Sequence, residues 1–325
     1  MQSAMPSQSD SSSDAAAWAA LVLLALAVVS CGWLQPMAIK PSSLTGLLTA
    51  CGALFGAAVF YRTVRLRENF AVMCIALAQV LLFSGLGVAL SYMLTRGNGA
   101  LWDVRLAQWD LAFGFVWLDY VRWVDQSPLL TMVLRVAYAS LIPQIIVLVL
   151  ALGFTLRVTE LRAVMLSAII CGTICIVVSG YFPAISNPAH FGLTGRDFDN
   201  VNPWGGYLHL ADFRALRDGS FSTLDLSKAQ GIITFPSYHA GLSLVTMWGF
   251  WISRMTWLRW SGMTLAALTI AATPVDGGHY LVDVLGGVVI AIVSIAVAVR
   301  AVRWRPAWPR ITASPFRRSH AGSGQ

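Results

Sequence analysis

Eight apolar segments, most of them long enough to cross a bilayer, constrain this chain more than any other feature. A membrane-spanning helix needs ~20 mostly apolar residues, and lipid offers no partner for exposed backbone N–H and C=O groups, so such segments must be helical. The sequence therefore predicts an all-α, polytopic membrane helical bundle of about eight transmembrane helices. The segments are Ala17–Ile39, Leu44–Tyr61, Phe70–Leu94, Leu129–Phe154, Val164–Phe182, Tyr238–Ile252, Gly262–Thr273 and Tyr280–Val302.

The composition agrees with a membrane protein and excludes most soluble classes. Hydrophobic residues make up 57% and charged residues 11% of the chain, whereas a soluble domain carries roughly 25% charged residues. The formal charge of +7 comes mainly from arginines between and after the apolar segments, so we expect membrane lipids and no nucleic acid as partners. The five cysteines fall within apolar segments without metal-finger spacing, and we expect them to pack as small side chains.

The chain divides into regions of distinct composition. Residues 1–16 are Ser-rich at first and lack the basic start of a secretory signal, which predicts a disordered cytoplasmic tail. Residues 17–95 hold the N-terminal transmembrane helices. Residues 96–128 mix aromatic with charged side chains, which predicts either a helix on the membrane surface or a short amphipathic connector. Residues 129–303 are the predicted catalytic transmembrane core, with a long outer loop at 184–235.

Clusters of basic residues indicate the orientation. They follow the second, fourth, sixth and eighth apolar segments, and the last cluster continues into a predicted basic cytoplasmic tail at 304–325. With eight spans all four clusters fall on one side, which the positive-inside rule makes cytoplasmic. The outer loop then faces the periplasm of a bacterial inner membrane, or the lumen in a eukaryote.

One short motif opens the sixth apolar segment. It reads Pro236-Ser237-Tyr238-His239. Proline suits the first turn of a helix, where its missing N–H costs nothing, so His239 falls within the opening turn. Unsatisfied N–H groups and the positive end of the helix dipole favour an anion there, and Ser237 adds a hydroxyl donor.

A second motif opens the eighth apolar segment and reads Gly278-His279-Tyr280-Leu281-Val282-Asp283. Gly278 allows the backbone to approach a ligand closely. Asp283 follows His279 by four residues, so both side chains lie on one helix face. A carboxylate bonded to one imidazole nitrogen fixes the tautomer and leaves the other nitrogen as a nucleophile.

Together the two motifs fit phosphoryl transfer through a phosphohistidine. His279 would attack phosphorus, Asp283 would orient the ring, and His239 would protonate the departing oxygen. No acidic cluster suited to Mg²⁺ stands nearby in the sequence, so we expect no metal and no other cofactor.

The same motifs resemble the second and third signatures of the type 2 phosphatidic acid phosphatase superfamily. Their Phe-Pro-Ser-x-His-Ala and Gly-His-Tyr-x-x-Asp forms are similar to its inositol phosphorylceramide synthase-like branch, a group of lipid phosphotransferases. The resemblance implies a six-helix phosphatase-type core, with His279 as nucleophile, Asp283 as its partner and His239 as general acid. It also implies a lipid phosphate or phospholipid substrate, and an alcohol acceptor such as inositol or another polyol.

The chain departs from that family at its phosphate-binding cations. Ala272 and Thr273 stand where the phosphatase branch has Ser-Arg, and the first signature is not recognisable. We expect another cation to replace them. Arg135 is the first candidate, because an unpaired charge in its apolar surroundings costs ~2.5–3.5 kcal/mol or more. Arg196 and Lys228 on the outer loop are further candidates.

Two other functions stay open at this point. A transporter with a His/Asp proton relay would carry ionisable groups deep in several spans, and in this chain Arg135 and Asp283 come closest to that pattern. A catalytically silent member of the same fold would explain the missing arginine, although the three catalytic-type residues are intact. For His190, His209 and His320 we expect ordinary structural positions.

Overall fold

The computed structural model describes residues 8–97 and 99–302, so the predicted basic tail at 304–325 lies outside the described residues. Within these ranges the chain forms thirteen α-helices, and the first already begins inside the segment expected to be a tail. The helices are α1 (Gln8–Leu34), α2 (Pro41–Thr63), α3 (Glu68–Thr95), α4 (Asp103–Ala112), α5 (Trp117–Asp125), α6 (Pro128–Ala139), α7 (Leu141–Phe154), α8 (Val158–Tyr181), α9 (Asn187–His190), α10 (Leu210–Asp218), α11 (Tyr238–Trp251), α12 (Thr256–Asp276) and α13 (Leu281–Ala301).

The eight predicted apolar segments all form helices, which confirms an all-α membrane bundle. Five helices are long and apolar enough to cross a membrane, namely α1 from Ala15 onward, α2, α3, α8 and α13. The bent pair α6 and α7 passes the same test as one span. Neither α11 nor α12 meets it, and α11 has just 14 residues.

The span predicted at Leu129–Phe154 is broken into α6 and α7, which meet at an angle of 55°. Pro143 lies in the first turn of α7. A proline ring clashes with the carbonyl of the residue four positions earlier, here Ala139, which ends α6. The bend lets α6 pack against α5 and the end of α12, with Leu134 and Tyr138 buried between them.

The core of the bundle is formed by α3, α7, α8 and α11, with α12 and α13 packed on it. Cys171 and Cys175 are fully buried here, as expected of small packing residues. The second turn of α13 contacts the start of α11 through backbone. A Cβ placed on Gly287 would lie 2.1 Å from the Ser237 carbonyl oxygen, so this crossing requires glycine.

Several contacts tie the N-terminal helices to the outer loop. A two-residue strand β1 (Ala38–Ile39), between α1 and α2, pairs in parallel with β2 (Thr223–Leu224). Lys40 forms an ion pair of 2.8 Å with Asp225, and this hydrogen bond is the main reason that the pKa of Asp225 falls to about 2. The α1–α2 connection therefore lies at the same end of the bundle as the outer loop, as an eight-span topology requires.

Candidate active site

The turn between α12 and α13, residues Gly277 to Tyr280, presents His279 to Asp283. The imidazole Nδ1 lies 3.2 Å from Asp283 Oδ2, and the Tyr280 N–H donates to the same oxygen at 2.9 Å. Asp283 is fully buried and His279 is 5% exposed. The predicted side-chain contact is present, but His279 precedes the N-cap Tyr280 and lies outside α13, so the two residues do not share a helix face.

Ser237 links the two motifs. Its Oγ lies 3.3 Å from His279 Nε2, the nitrogen that faces away from Asp283. The same hydroxyl caps α11 by accepting from the Ala240 N–H, and the Ser237 N–H donates to the Asp283 carbonyl. With Asp283 accepting from Nδ1–H, the lone pair of Nε2 points at the start of α11.

The second imidazole, His239, lies flat against Tyr138. Their ring centroids are 4.7 Å apart and the planes are inclined by 10°. A Cβ placed on Gly277 would lie 2.9 Å from Tyr138 Oη and 2.8 Å from the Cδ2 atom of His279. Tyr138 and Gly277 therefore lie next to the two imidazoles, at one end of the bundle.

The two helix starts at this site differ in their hydrogen bonds. At α13, the N–H groups of Leu281 and Val282 both donate to Asp110, each at 2.9 Å. At α11, the N–H groups of Tyr238 and His239 find no acceptor among the described residues. An incoming anion therefore finds free donors at the start of α11, while carboxylates already occupy the start of α13.

Two buried carboxylates of α4 escaped the sequence analysis. Asp110 caps α13 as described, and Asp103 accepts from the hydroxyl of Tyr280 at 2.9 Å and from the Ile185 and Ser186 N–H groups. Both side chains are at most 3% exposed. Their spacing of seven residues puts them on one face of α4, and acidic side chains on a single face of an aromatic helix are the signal that identifies them in the sequence.

The outer loop packs on the turn between α12 and α13. Asn187 donates from its backbone N–H to the Gly278 carbonyl at 2.8 Å and from Nδ2 to the His279 carbonyl at 3.2 Å. Gly278 has φ +65°, and a Cβ there would lie 2.8 Å from Pro188. The close backbone approach at this glycine is made by the protein's own loop.

Burial sets the protonation of two histidines at this end of the bundle. It lowers the pKa of His279 to about 4, against an opposing hydrogen bond with the backbone of Thr234. It also lowers the pKa of His209, whose Nε2 lies 2.8 Å from the Ile185 carbonyl oxygen. Near neutral pH, His279 is thus an uncharged imidazole.

The three candidate cations are placed differently. Arg135 lies 3.8 Å from Asp276 Oδ1 and donates to the Asn200 carbonyl at 3.0 Å. Asp276 directly precedes Gly277, so Arg135 lies next to the turn between α12 and α13. Arg196 and Lys228 are exposed, and neither side chain makes a hydrogen bond or ion pair with the site. The described residues contain no group of three His, Cys, Asp or Glu side chains placed to hold a metal ion.

Comparison with known proteins identifies the family. A model described as the PAP2 superfamily matches residues 104–297, more than half of the chain. The match begins in α4, spans both histidine motifs and ends in α13. No curated protein and no solved structure matches the chain. The chain therefore belongs to the PAP2 superfamily and has its membrane-type phosphatase fold.

Proposed function

We propose that this protein transfers the phosphoryl group of a lipid phosphate, or of a phospholipid head group, through a phosphohistidine. The observation that carries the proposal is the position of His279. Its Nδ1 faces the buried Asp283, and its Nε2 faces Ser237 at a helix start with free N–H donors. Few arrangements other than nucleophilic catalysis require an uncharged, oriented imidazole beside an anion site.

In the first half-reaction, the Nε2 lone pair of His279 attacks phosphorus. The bond from phosphorus to the lipid oxygen breaks, and that oxygen takes a proton from His239. Asp283 stabilises the positive charge that the substituted imidazole acquires. The free N–H groups of Tyr238 and His239, the Ser237 hydroxyl and the guanidinium of Arg135 are the donors for the phosphoryl oxygens.

In the second half-reaction, water or an alcohol attacks the phosphohistidine. His239 takes the proton of the attacking oxygen, the N–P bond breaks, and His279 returns to its neutral form. Hydrolysis and transfer thus share the first step and differ in the acceptor. The motif forms favour an alcohol acceptor, inositol or another polyol, and we place the site on the periplasmic or lumenal side.

Trapping the intermediate tests this mechanism. Purified protein in detergent is mixed with a lipid phosphate labelled at phosphorus and quenched in base, since a phosphohistidine survives base and is lost in acid. We expect label on wild type and on His239→Ala, and none on His279→Ala. Label that persists in His279→Ala would contradict the assignment of the nucleophile.

Steady-state turnover provides the second test. His279→Ala and His239→Ala should each lower turnover roughly a hundredfold or more, and Arg135→Lys should weaken binding because lysine cannot form the bidentate contact. Adding inositol or glycerol should divert product from free phosphate to a phosphorylated alcohol if the enzyme is a transferase. EDTA should leave the rate unchanged, and a metal-dependent rate would contradict this mechanism.

A further inference from the structure

An apolar cavity of about 210 Å³ lies where the N-terminal helix α3 meets the catalytic helices. Its walls come from α3, α7, α8 and α11, and α3 is outside the region that matches the family. An apolar cavity of ~150 Å³ in another protein stays dry and takes up benzene. The cavity described here is larger, and the lipid around the bundle supplies hydrocarbon to fill it.

The cavity starts at the catalytic end of the bundle. Gly231, Ile232 and Ile233 line its mouth, and the next residue, Thr234, bonds through its backbone with the His279 ring. On α11, Leu242 and Thr246 line the wall three and seven residues after His239, hence on the same helix face.

The depth of the cavity matches one leaflet of a bilayer. Along α3 its lining runs from Ser91, near the mouth, to Gln79. These positions are twelve residues apart, a rise of about 18 Å in a helix. Half of the hydrocarbon core of a bilayer measures about 15 Å. A lipid chain anchored at the membrane surface would thus end near Gln79.

Gln79 gives the deep end a distinct chemistry. Its side chain is 4% exposed and makes no hydrogen bond with any described residue, although the rest of the wall is almost entirely apolar. An amide without a partner in apolar surroundings is costly, and a hydrocarbon chain offers it no hydrogen bond. A chain that reached past Gln79 would bury the amide against hydrocarbon, so the amide limits the chain length.

We propose that this cavity holds one hydrocarbon chain of the lipid substrate while its phosphate lies at His279, and that Gln79 sets the longest chain accepted. This inference rests on the proposed lipid phosphotransfer and adds that the enzyme selects its substrate by the length of one hydrocarbon chain. The occupant is a single hydrocarbon chain, because a cavity of about 210 Å³ between four helices is small.

Chain-length kinetics test the inference. The substrates are single-chain lysophosphatidic acids of six to eighteen carbons, presented in mixed micelles at a fixed surface fraction. Ala168→Phe places a ring in the cavity and should lower kcat/KM for the long chains at least tenfold, while the six-carbon substrate changes less than twofold. Gln79→Leu should raise kcat/KM for the longest chains. Val177→Phe, on the exposed side of α8, is the matched control and should leave the series unchanged.

A photolabel separates failure of this inference from failure of the proposed function. A non-hydrolysable lipid phosphonate with a diazirine at the chain end is bound to His279→Ala protein and irradiated. Label on α3 and α8 peptides that line the cavity, reduced in the Ala168→Phe background, is the expected result even if no substrate is turned over. Label confined to lipid-facing helix surfaces would contradict binding in the cavity. An equal loss of kcat/KM for all chain lengths in Ala168→Phe would contradict it as well. Absence of turnover with every lipid phosphate would instead overturn the proposed function.

Discussion

The imidazole of His239 lies parallel to the phenol ring of Tyr138, with 4.7 Å between the ring centroids. Tyr138 sits near the end of α6, just before the bend caused by Pro143, and it is 7% exposed. The general acid proposed here is thus oriented by a residue from a helix that packs across the outer end of α12.

Substitutions of Tyr138 test this orientation. Tyr138→Phe keeps the stacked ring and should leave kcat/KM close to wild type. Tyr138→Leu removes a ring contact worth ~0.5–1.5 kcal/mol, which corresponds to a loss of about twofold to tenfold. The loss should fall on kcat more than on KM, because binding of the lipid chain is unaffected. Equal activities for the two variants would show that the stack does not position His239.

Asp110, on α4, caps the start of α13, and its substitution tests what this cap does. Asp110→Ala leaves the Leu281 and Val282 N–H groups without their acceptor, and loss of a helix cap costs ~0.5–2 kcal/mol. We expect a lower unfolding temperature in detergent, and a fall in kcat of up to about a hundredfold, because the α13 start that carries His279 shifts. KM should change little, and Asp110→Asn should recover part of both losses.

A matched control distinguishes this effect from loss of a surface charge. Asp119→Ala removes an exposed carboxylate from the neighbouring helix α5 and should behave as wild type. If Asp110→Ala lowers stability while kcat stays unchanged, the cap is structural and does not position the nucleophile.

Gly287 tests the contact between α11 and α13. In Gly287→Ala the new methyl group would lie 2.1 Å from the Ser237 carbonyl oxygen, so the two helices must separate. Overpacking of this kind costs typically ~1–3 kcal/mol, occasionally more, and we expect activity to be lost with stability. The control is Gly56→Ala in α2, where nothing lies within 4 Å. It should stabilise the protein by up to ~1 kcal/mol through helix propensity, as measured by reversible unfolding in mixed detergent.

The protonation of His279 can be measured directly. With its pKa at about 4, below the ordinary ~6.5, the ring stays neutral at pH 5. Between these values the unfolded chain binds the proton more readily than the folded protein, so this histidine makes stability fall as the pH falls through that window. Histidine-selective NMR of the detergent-solubilised protein, assigned with His279→Gln, reports the midpoint. A midpoint at or above 6.5 would mean that the ring is solvated or paired as a cation.

The helices and the two motifs were predictable because their signals are local. Length and apolarity identify the eight segments, and the short separation of His279 and Asp283 keeps them close, with Asp283 in the first turn of α13 reaching back to the turn before it. The break between α6 and α7 was missed although its cause, Pro143, is visible in the sequence. Apolar composition says nothing about the direction of a helix, and Pro143 lies in the middle of the predicted segment, where a proline kinks or breaks a helix.

The contacts of α4 and of the outer loop could not be predicted in the same way. Asp110 and Val282 are separated by more than 170 positions, and Asn187 and His279 by more than 90. No local pattern specifies which backbone N–H groups a buried carboxylate will meet. The aromatic residues around Asp103 and Asp110 indicate a surface helix or a short amphipathic connector. The burial of the two carboxyl groups against α13 depends on the whole fold.

The starts of α11 and α13, on either side of His279, differ in the hydrogen bonds that their N–H groups make. Behind His279, on the α13 side, lie the carboxyl groups of Asp103, Asp110 and Asp283, which already accept hydrogen bonds from Tyr280, from the Val282 N–H and from His279. In front lie the uncommitted amides that open α11. In the proposed mechanism, the phosphate would approach from the α11 side, with its phosphorus meeting Nε2 of His279 and its leaving oxygen turned toward Tyr138 and His239. The different surroundings of the two imidazoles would then suit His279 to attack and His239 to protonation of the leaving group.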